Sequence, residues 1–434
     1  MAHPSDRDGT GRTCGSGCAC TESNGGADVH SARRIVFAIA WLVSGLCSYA
    51  QLDCSKYVKP VYEGVESTAL SIYDTNPESP DGRYVCFVKY PEIARGGHLE
   101  KPVKAHVMLK NRATGVVRMI FEVSCNNHNG VNAVWINDSL LAFQVNDFKD
   151  FAVYDVQSNR SVFGLVQGAI GHKSFDNLLF FSVCNARLLV YDKARMHYPA
   201  EREGIYSLNC ITGEITQLVR KGDIIEAFVA QNSNVSRNET KILHVDPNPR
   251  NDKIMFDYRY RSDSTKAWVS LHGVVFANGT GARWVRERPM HVVWFDDNSM
   301  FGVDTEDREH KIYRYDLYGE KLEMLGGTST HVGASPDREW YVGESDFYKP
   351  EADGFTRVYL YKRGHKKPVA LLSEWDNAKI TWTWVAHVNP SFSADGKRVY
   401  FVRAPNAEER YEAVFIDLAA LPVQDGACGF NAPR

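Results

Sequence analysis

The chain has 434 residues, of which 44% are hydrophobic, so it carries enough apolar side chain to bury a large core. Charged residues make up 24% of the chain, the formal net charge is −3, and Lys and Arg form no dense basic run. This balance argues against nucleic-acid binding, which needs a basic surface. Tyr and Phe occur 21 times each, a composition typical of many half-buried β-strands.

The first 50 residues differ in composition from the rest. Residues 1–34 are rich in Gly, Ser, Asp and Cys, and we interpret them as a disordered leader or as sequence upstream of the true start. Two arginines then precede the apolar run 35–50, which ends in Ser48-Tyr49-Ala50. A positive flank, a short apolar core and a small-x-small exit predict a secretory signal peptide, with a retained signal anchor as the alternative. We therefore expect an exported chain, periplasmic or secreted, without a stable membrane span after cleavage.

Six cysteines follow this segment, and no two of them form a CxxC pair. They are Cys54, Cys86, Cys125, Cys184, Cys210 and Cys428. Export permits disulfides, but a large core does not need them, so we predict that most are small buried hydrophobic residues.

The remaining sequence repeats a common pattern rather than identical residues. Three clear units read IYDTNPESPDGRYVCFVKYP (72–91), HVGASPDREWYVGESDFY (331–348) and HVNPSFSADGKRVYFVRA (387–404). Each unit begins with polar residues or a histidine, continues through a Pro/Asp/Gly turn and ends in an alternating strand. Asp-Gly supplies the positive φ values of a tight hairpin. Weaker copies, each followed by an outer hairpin, bring the count to seven units of about 50 residues.

Seven four-stranded repeats predict an all-β protein, a seven-bladed β-propeller of four-stranded antiparallel blades that occupies residues 51–434 as one domain. A ring of six or eight blades and a pair of β-sandwiches are the alternatives. Residues 57–71 precede the first unit, and we expect them to supply a strand that closes the ring against the last blade. No amphipathic helix of convincing length is visible.

Four successive units begin with a histidine: His244, His291, His331 and His387. The innermost strand of a propeller blade starts beside the central channel, so a residue just before it points towards the axis. We therefore predict that these histidines converge at one side of the channel mouth. Neutral imidazoles arranged in this way suit a divalent metal, with manganese, zinc and calcium left open.

Other polar and aromatic residues fall near the same predicted channel. They are His128 in NNHNG, Arg187 and Tyr198 in NARLLVYDKARMHYP, Arg259 and Arg261 in FDYRYR, and Trp384 just before His387. Arginine binds carboxylates in a bidentate way, and aromatic faces stack on sugar rings. The combination predicts an anionic polysaccharide or oligosaccharide as the ligand.

Each of these residues also has a plain structural interpretation. Arg259 and Arg261 could be surface partners of nearby aspartates, and Tyr198 could be ordinary packing. We interpret His172 and His197 as structural or exposed, and we place His272, His310 and His365 in outer hairpins away from the site. The sequence lacks a G-x-S-x-G elbow, H-E-x-x-H, a P-loop and a Rossmann glycine motif.

The blade starts LHVDPNP, MHVVWF, THVGASPD and VAHVNPSFSADGKRVYF resemble the corresponding blades of oligogalacturonate lyase, a propeller-type polysaccharide lyase. The resemblance implies that His244 is the catalytic base and that His291 and His387 are manganese ligands, with His331 opening the blade between them. Two positions depart from the family pattern: Trp384 and Asn389 stand where the family has Gln and a second His.

The early blades resemble a different group. NNHNG and the Arg187/Tyr198 region are similar to ulvan lyases, which implies His128 as an alternative base and Tyr198 as the acid. The serine-Pro-Asp-Gly turn pattern also occurs in TolB-like propellers that are not catalysts.

Together these observations favour a polysaccharide lyase that cleaves a uronic-acid-containing chain by β-elimination. His128 or His244 would be the base and Tyr198 the acid; Arg187 or Arg259 would bind the carboxylate, with Arg261 and Trp384 also on the substrate. A divalent cation would be held by His291, His331 and His387. The alternatives are a non-catalytic carbohydrate- or protein-binding propeller and a periplasmic TolB-type scaffold, and the oligomeric state stays open.

Overall fold

The structure, a computed structural model, describes residues 52–91, 103–125, 130–146, 149–184, 199–286, 290–306, 309–327, 331–345, 353–365, 367–376, 387–404 and 410–421. The expected leader and signal peptide, residues 1–50, lie outside these residues and stay predictions.

Seven small antiparallel sheets follow one another along the chain. Two short strands come first, β1 (Leu52–Asp53) and β2 (Lys59–Pro60). Blade 1 contains β3 (Ser67–Ala69), β4 (Tyr84–Tyr90), β5 (Val103–Asn111) and β6 (Val117–Cys125). Blade 2 contains β7 (Val134–Trp135), β8 (Leu140–Val145), β9 (Asp150–Asp155), β10 (Arg160–Ser161) and β11 (Val166–Gln167), the last two both pairing with β9. Blade 3 contains β12 (Ala169–Phe175), β13 (Leu178–Val183), β14 (Gly204–Asn209) and β15 (Ile215–Arg220).

The later blades repeat this order. Blade 4 contains β16 (Lys241–Pro247), β17 (Lys253–Arg261), β18 (Trp268–Phe276) and β19 (Arg283–Arg286). Blade 5 contains β20 (Met290–Asp296), β21 (Ser299–Glu306), β22 (Glu309–Asp316) and β23 (Lys321–Gly326). Blade 6 contains β24 (Val332–Ala334), β25 (Trp340–Glu344), β26 (Phe355–Lys362) and β27 (Ala370–Asp376). Blade 7 contains β28 (Ser391–Phe392), β29 (Arg398–Arg403) and β30 (Glu412–Asp417).

The ring closes through strands from the beginning of the domain. β2 pairs antiparallel with β30, with Lys59 opposite Phe415 and Pro60 opposite Val414, and so supplies the fourth strand of blade 7. β1 adds to blade 6 in parallel with β27. Neighbouring blades contact each other in chain order, and β3 of blade 1 contacts β30 of blade 7. The structure is therefore a seven-bladed β-propeller, and the prediction of a closing strand within residues 57–71 is confirmed.

The recurring turn has one hydrogen-bond pattern in the three clear repeats. Ser79, Ser335 and Ser393 each donate a hydroxyl hydrogen bond to the aspartate two residues later. Each hydroxyl oxygen also accepts from the backbone N–H five residues on, where the next strand begins. The residue completing the turn has a positive φ, 72° at Gly82 and 68° at Gly396, which glycine adopts without steric cost.

One prediction about secondary structure was wrong. The described residues contain an α-helix, α1 (Lys221–Gln231), between blades 3 and 4. It buries only Ile224 and Phe228, one turn apart, against a sheet core that includes Val219 and Tyr258. Two buried side chains in eleven residues leave only a weak apolar periodicity, which is why the helix was not predicted. Within the described residues, no helix is long and apolar enough to cross a bilayer.

The core consists of apolar side chains between and within the blades, and the described cysteines belong to it. Cys54, Cys86, Cys125, Cys184 and Cys210 are all buried, as predicted from the sequence.

A buried ion pair links the first and last blades. Glu78 is 1% exposed, and Arg398 of β29 donates to both of its oxygens at 2.8 and 2.9 Å. Arg112 and the Tyr400 hydroxyl donate to the same carboxylate at 2.7 and 2.8 Å. The carboxylate is therefore fully hydrogen-bonded, which is the condition for a buried charge to be tolerated.

Removing the charge of Glu78 should destabilise the closed ring. Glu78→Gln leaves Arg398 buried without its main counter-charge, and we expect a loss of about 3–5 kcal/mol in the free energy of unfolding. The matched control is Glu226→Gln, which breaks an ion pair with Arg237. Both side chains of that pair are more than half exposed to solvent, so we expect a much smaller loss of stability. Chemical denaturation measures both, and equal losses would contradict a special role for the closure pair.

Candidate active site

Five histidines from five successive blades form two close groups, one of two imidazoles and one of three. We call His172, His244, His291, His331 and His387 the histidine arc. The ring centroids of His172 and His244 are 4.8 Å apart, those of His291 and His331 are 4.2 Å apart, and those of His331 and His387 are 4.5 Å apart. The four histidines predicted from the blade starts are therefore near one another, with His172 as a fifth member.

β-Bulges place three members of the arc. The pairing register of β12 with β13 shifts between Ile170 and Ser174, that of β16 with β17 between Leu243 and Asp246, and that of β20 with β21 between Met290 and Val293. These shifts enclose His172, His244 and His291. A bulge bends the strand and changes the direction of a side chain. From the sequence, we predicted that the histidines at the blade starts lie just before the inner strand. This is confirmed for His331, which directly precedes β24, whereas His244 and His291 lie inside β16 and β20.

Two of the bulged histidines have a strained backbone. His244 has φ 49° and His291 has φ 52°, in the left-handed region that residues with a side chain seldom adopt. Such a conformation costs about 1–3 kcal/mol and is retained where the surrounding structure enforces it, most often at functional sites.

His172 and His244 contact each other directly beside an aspartate. His172 Nε2 lies 2.8 Å from His244 Nδ1, and His172 Nδ1 lies 3.1 Å from Asp246 Oδ2. The pKa of His244 is lowered to about 3, mainly by burial; Asp257 opposes this effect, and the nearby His172 and Arg259 add to it. His244 is therefore a neutral imidazole at neutral pH, although 23% of its side chain is exposed to solvent.

The carboxylate of Asp257 contacts three basic side chains. His272 Nδ1 lies 2.7 Å from its Oδ1, Arg259 Nη2 donates to its Oδ2 at 3.0 Å, and His244 Nε2 lies 3.9 Å from the same Oδ2. Burial by itself raises the pKa of Asp257, but His272, His244 and Arg259 outweigh it and hold the pKa well below its usual range. The site thus combines a fixed carboxylate with a guanidinium and a neutral imidazole.

The other half of the arc has its own carboxylate. His331 Nδ1 lies 2.5 Å from Glu344 Oε1, and the His331 backbone N–H donates to the same oxygen at 3.0 Å. A carboxylate on one ring nitrogen orients an imidazole so that the other nitrogen faces a ligand, an arrangement typical of metal-binding histidines. In the part of the chain that the structure describes, no three His, Cys, Asp or Glu side chains converge as a metal site.

Tyr73 lies between the two halves. Its ring centroid is 4.7 Å from that of His291 and 5.5 Å from those of His172 and His331. Burial, and then the charges of Asp257 and Asp246, raise its pKa well above the usual value, so the phenol stays neutral. Tyr73 belongs to blade 1, which brings a sixth blade to the site.

The remaining predicted residues have mixed outcomes. Arg259 reaches the site through Asp257, whereas Arg261 lies 4.0 Å from Glu239 and 5.8 Å from the ring centre of the half-exposed Trp268. The interpretation of these arginines as partners of nearby acids therefore holds in part. His128, Arg187, Tyr198 and Trp384 lie outside the described residues.

Sequence reasoning missed six residues of this site: His172, His272, Glu344, Tyr73, Asp246 and Asp257. His172 is 2% exposed and contacts His244, so it is not an exposed histidine. It could have been found from its place at the start of blade 3, in the same position as His244 in blade 4. His272 lies on the third strand of its blade, and only its pairing opposite Asp257 brings it to the site.

Solved structures with similar folds include two oligogalacturonate lyases. One, in complex with manganese, has a TM-score of 0.58 and 16% identity, covering 86% of this chain and 96% of that chain. The other, from Vibrio parahaemolyticus, has a TM-score of 0.54 and 15% identity, covering 83% of this chain and 93% of that chain. TolB from Acinetobacter baumannii has a TM-score of 0.35 at 15% identity, covering 66% of this chain and 65% of that chain. No protein-family model and no curated protein matches the sequence. At these identities, the likeness shows the fold.

The pKa of His244 predicts a pH dependence of stability. Unfolded His244 would bind a proton near pH 6.5, but the folded protein resists protonation until about pH 3. The unfolded state therefore binds more protons between these values, so stability falls as the pH drops below 6.5, by at most about 1.4 kcal/mol per pH unit from this residue.

Chemical denaturation at pH 6.5, 5.5 and 4.5 tests this dependence above the range in which Asp246 and Asp257 titrate. We expect His244→Gln to flatten the slope, and His365→Gln, a change of an exposed histidine, to leave it unchanged. A His244→Gln slope equal to that of the wild type would contradict the low pKa.

Proposed function

We propose that this chain is a propeller polysaccharide lyase that cleaves a 4-linked uronic acid by β-elimination, with His244 as the base. The observation that carries the proposal is the meeting of a neutral imidazole, His244, and a guanidinium, Arg259, at the same oxygen of Asp257. Base and carboxylate-binding group are the two functions that the reaction needs first.

The chemistry explains why both groups are required. The C5 proton of a uronate lies α to a carboxylate and is only weakly acidic, so the carboxylate charge must be neutralised before the proton can leave. His244 accepts the C5 proton, the C4–O4 bond breaks as the C4=C5 double bond forms, and an acid protonates the departing O4. Tyr198 is the acid that the ulvan-lyase resemblance implies.

Arg259 is suited to bind the substrate carboxylate. Its side chain is 37% exposed to solvent, and one terminal nitrogen, Nη2, is anchored on Asp257 at 3.0 Å. A partly exposed guanidinium that is held at one end can present its planar fork to a carboxylate.

The low pKa of His244 is compatible with a base. It keeps the imidazole unprotonated at every physiological pH, so all of the protein has His244 in the form that can accept a proton. An anionic sugar beside it would raise that pKa, because a nearby negative charge favours the imidazolium.

The donor chemistry of the arc also fits a divalent cation. The ring centroids of His291 and His387 lie 4.2 and 4.5 Å from that of His331, and neutral imidazole is a common ligand of divalent metals. Asn389, two residues after His387, adds a buried Oδ1 without a hydrogen-bond partner among the described residues. We propose that His291, His331 and His387 hold the cation. It would neutralise the substrate carboxylate as a Lewis acid, as the manganese complex of the similar lyase suggests.

The activity is tested by ultraviolet absorbance of the unsaturated uronide product. The full chain is offered pectate, oligogalacturonate, ulvan, glucuronan, alginate and glycosaminoglycans, and we expect a rising signal on one of them. His244→Ala should lower kcat by about 100- to 10,000-fold, with His365→Ala as the exposed-histidine control. If His128→Ala abolishes turnover and His244→Ala does not, the base is His128; full activity in both variants would refute the assignment. A flat signal from folded protein across the panel would refute the lyase.

The metal proposal has a separate measurement. We expect Mn²⁺ binding by calorimetry, lost in His331→Ala and weakened about 10- to 100-fold in Glu344→Gln, because Glu344 orients His331. His365→Ala should bind as the wild type does. A wild type that binds neither Mn²⁺, Zn²⁺ nor Ca²⁺, or unchanged affinity in both variants, would contradict the proposed ligands.

A further inference from the structure

Three side chains form a buried line that ends at the proposed base. Asp246 Oδ2 lies 3.1 Å from His172 Nδ1, and His172 Nε2 lies 2.8 Å from His244 Nδ1. Asp246 and His172 are 3% and 2% exposed. This contact does not have the geometry of a hydrogen bond, and neither His172 Nδ1 nor Asp246 Oδ2 has a hydrogen-bond partner among the described residues. Since both atoms are buried and 3.1 Å apart, a small rotation of either side chain would let them bond to each other.

The backbone holds Asp246 in place at one end of this line. The His172 backbone N–H donates to Asp246 Oδ1 at 2.5 Å, which leaves Oδ2 facing the imidazole of the same residue. Gly171 permits the approach, because a Cβ there would lie 2.0 Å from the Val245 carbonyl oxygen and 2.9 Å from Asp246 Oδ1. The carboxylate position is thus built into the contact between blades 3 and 4.

The direction of the protons follows from the charge of Asp246. Asp246 Oδ1 accepts the His172 backbone N–H, and Asp246 Oδ2 lies 3.1 Å from His172 Nδ1. An ionised carboxylate only accepts hydrogen bonds, so a His172 ring with one proton carries that proton on Nδ1, next to Asp246. Its Nε2 then accepts, and the hydrogen between the two rings belongs to His244 Nδ1. This leaves the lone pair of His244 on Nε2, the nitrogen that faces Asp257 and Arg259.

We propose that Asp246 and His172 are positioning residues that fix the tautomer of His244, so that Nε2 is the nitrogen that accepts the substrate proton. The inference rests on the proposed role of His244 as base. It assigns a function to His172 that requires no contact with the substrate, because His172 acts through His244. The same logic, a buried carboxylate that fixes the tautomer of a catalytic imidazole, is known from the serine protease triad.

Tautomers are read directly by long-range ¹H–¹⁵N correlation spectra of ¹⁵N-histidine-labelled full-length protein. The chain has 14 histidines, few enough to assign His244 and His172 by single substitutions. In the wild type at pH 7, we expect both rings as Nδ1–H tautomers. A proton on Nε2 of His244 would overturn the proposal.

Asp246→Asn gives the sharpest test because it should reverse the direction of the hydrogen bonds from residue 246 through His172 to His244. The His172 backbone N–H retains the remaining amide oxygen, so the new NH₂ group faces His172 Nδ1. His172 must then carry its proton on Nε2 and donate it to His244 Nδ1, which moves the His244 proton to Nε2. An unchanged His244 tautomer in this variant would overturn the proposal, and circular dichroism checks that the variant is folded.

His172→Gln is the conservative counterpart. The amide nitrogen of the glutamine should donate to Asp246, which leaves the amide oxygen facing His244. The Nδ1–H tautomer of His244 should therefore persist. His172→Phe removes the acceptor, and His244 should become a mixture of tautomers. Identical spectra for the Gln and Phe variants would refute the role of His172.

Activity separates this inference from the proposed function. On the substrate identified above, Asp246→Asn should lower kcat at least about 100-fold with KM little changed. His172→Gln should retain most of the wild-type kcat. If the spectra show the predicted reversal while Asp246→Asn keeps full activity, the tautomer is fixed as proposed and His244 is not the base. If no substrate is cleaved, the spectra still decide the tautomer.

Discussion

Closure of the ring is the constraint on which the rest of the molecule depends. The site is made of residues from blades 1, 3, 4, 5, 6 and 7, so it is complete only in the closed ring. The ends of the domain meet in two ways: β2 completes blade 7 beside β30, and the buried Glu78 of blade 1 binds Arg398 of blade 7. Backbone pairing gives the closure its register, and the ion pair adds a contact that tolerates no shift, because a displaced partner would leave a buried charge unmatched.

Closure also explains how the site can contain strained residues. His244 and His291 have positive φ values inside β-bulges, a conformation that their own sequence does not favour. The flanking residues of each inner strand pair with the next strand of the blade, and the neighbouring blades pack on both sides. The local cost of a few kcal/mol at most is small beside this packing, and the result is a set of imidazoles directed at one another rather than into the blades.

The electrostatics divide the histidine arc into two parts with different chemistry. His172 and His244 lie beside Asp246 and Asp257. Burial keeps His244 neutral, whereas nearby basic side chains and hydrogen bonds lower the pKa of both aspartates against the effect of burial. His291, His331 and His387 lie on the other side of Tyr73, with Glu344 as their carboxylate. In the proposed lyase, the first part moves a proton and the second holds a cation. The neutral Tyr73 separates them without adding charge.

The sequence by itself determined the fold class and much of the site. Turn residues and alternating strands are encoded within about 20 consecutive residues, so the seven blades, the closing strand and four histidines of the arc could be read from local patterns. The helix Lys221–Gln231 could not, because it buries only two side chains. The roles of His172, His272, Glu344 and Tyr73 were decided only by the tertiary structure. Their partners lie on other strands or other blades, and a histidine becomes a site residue through the bulge and the neighbouring blade that direct its ring, neither of which leaves a local signal in the sequence.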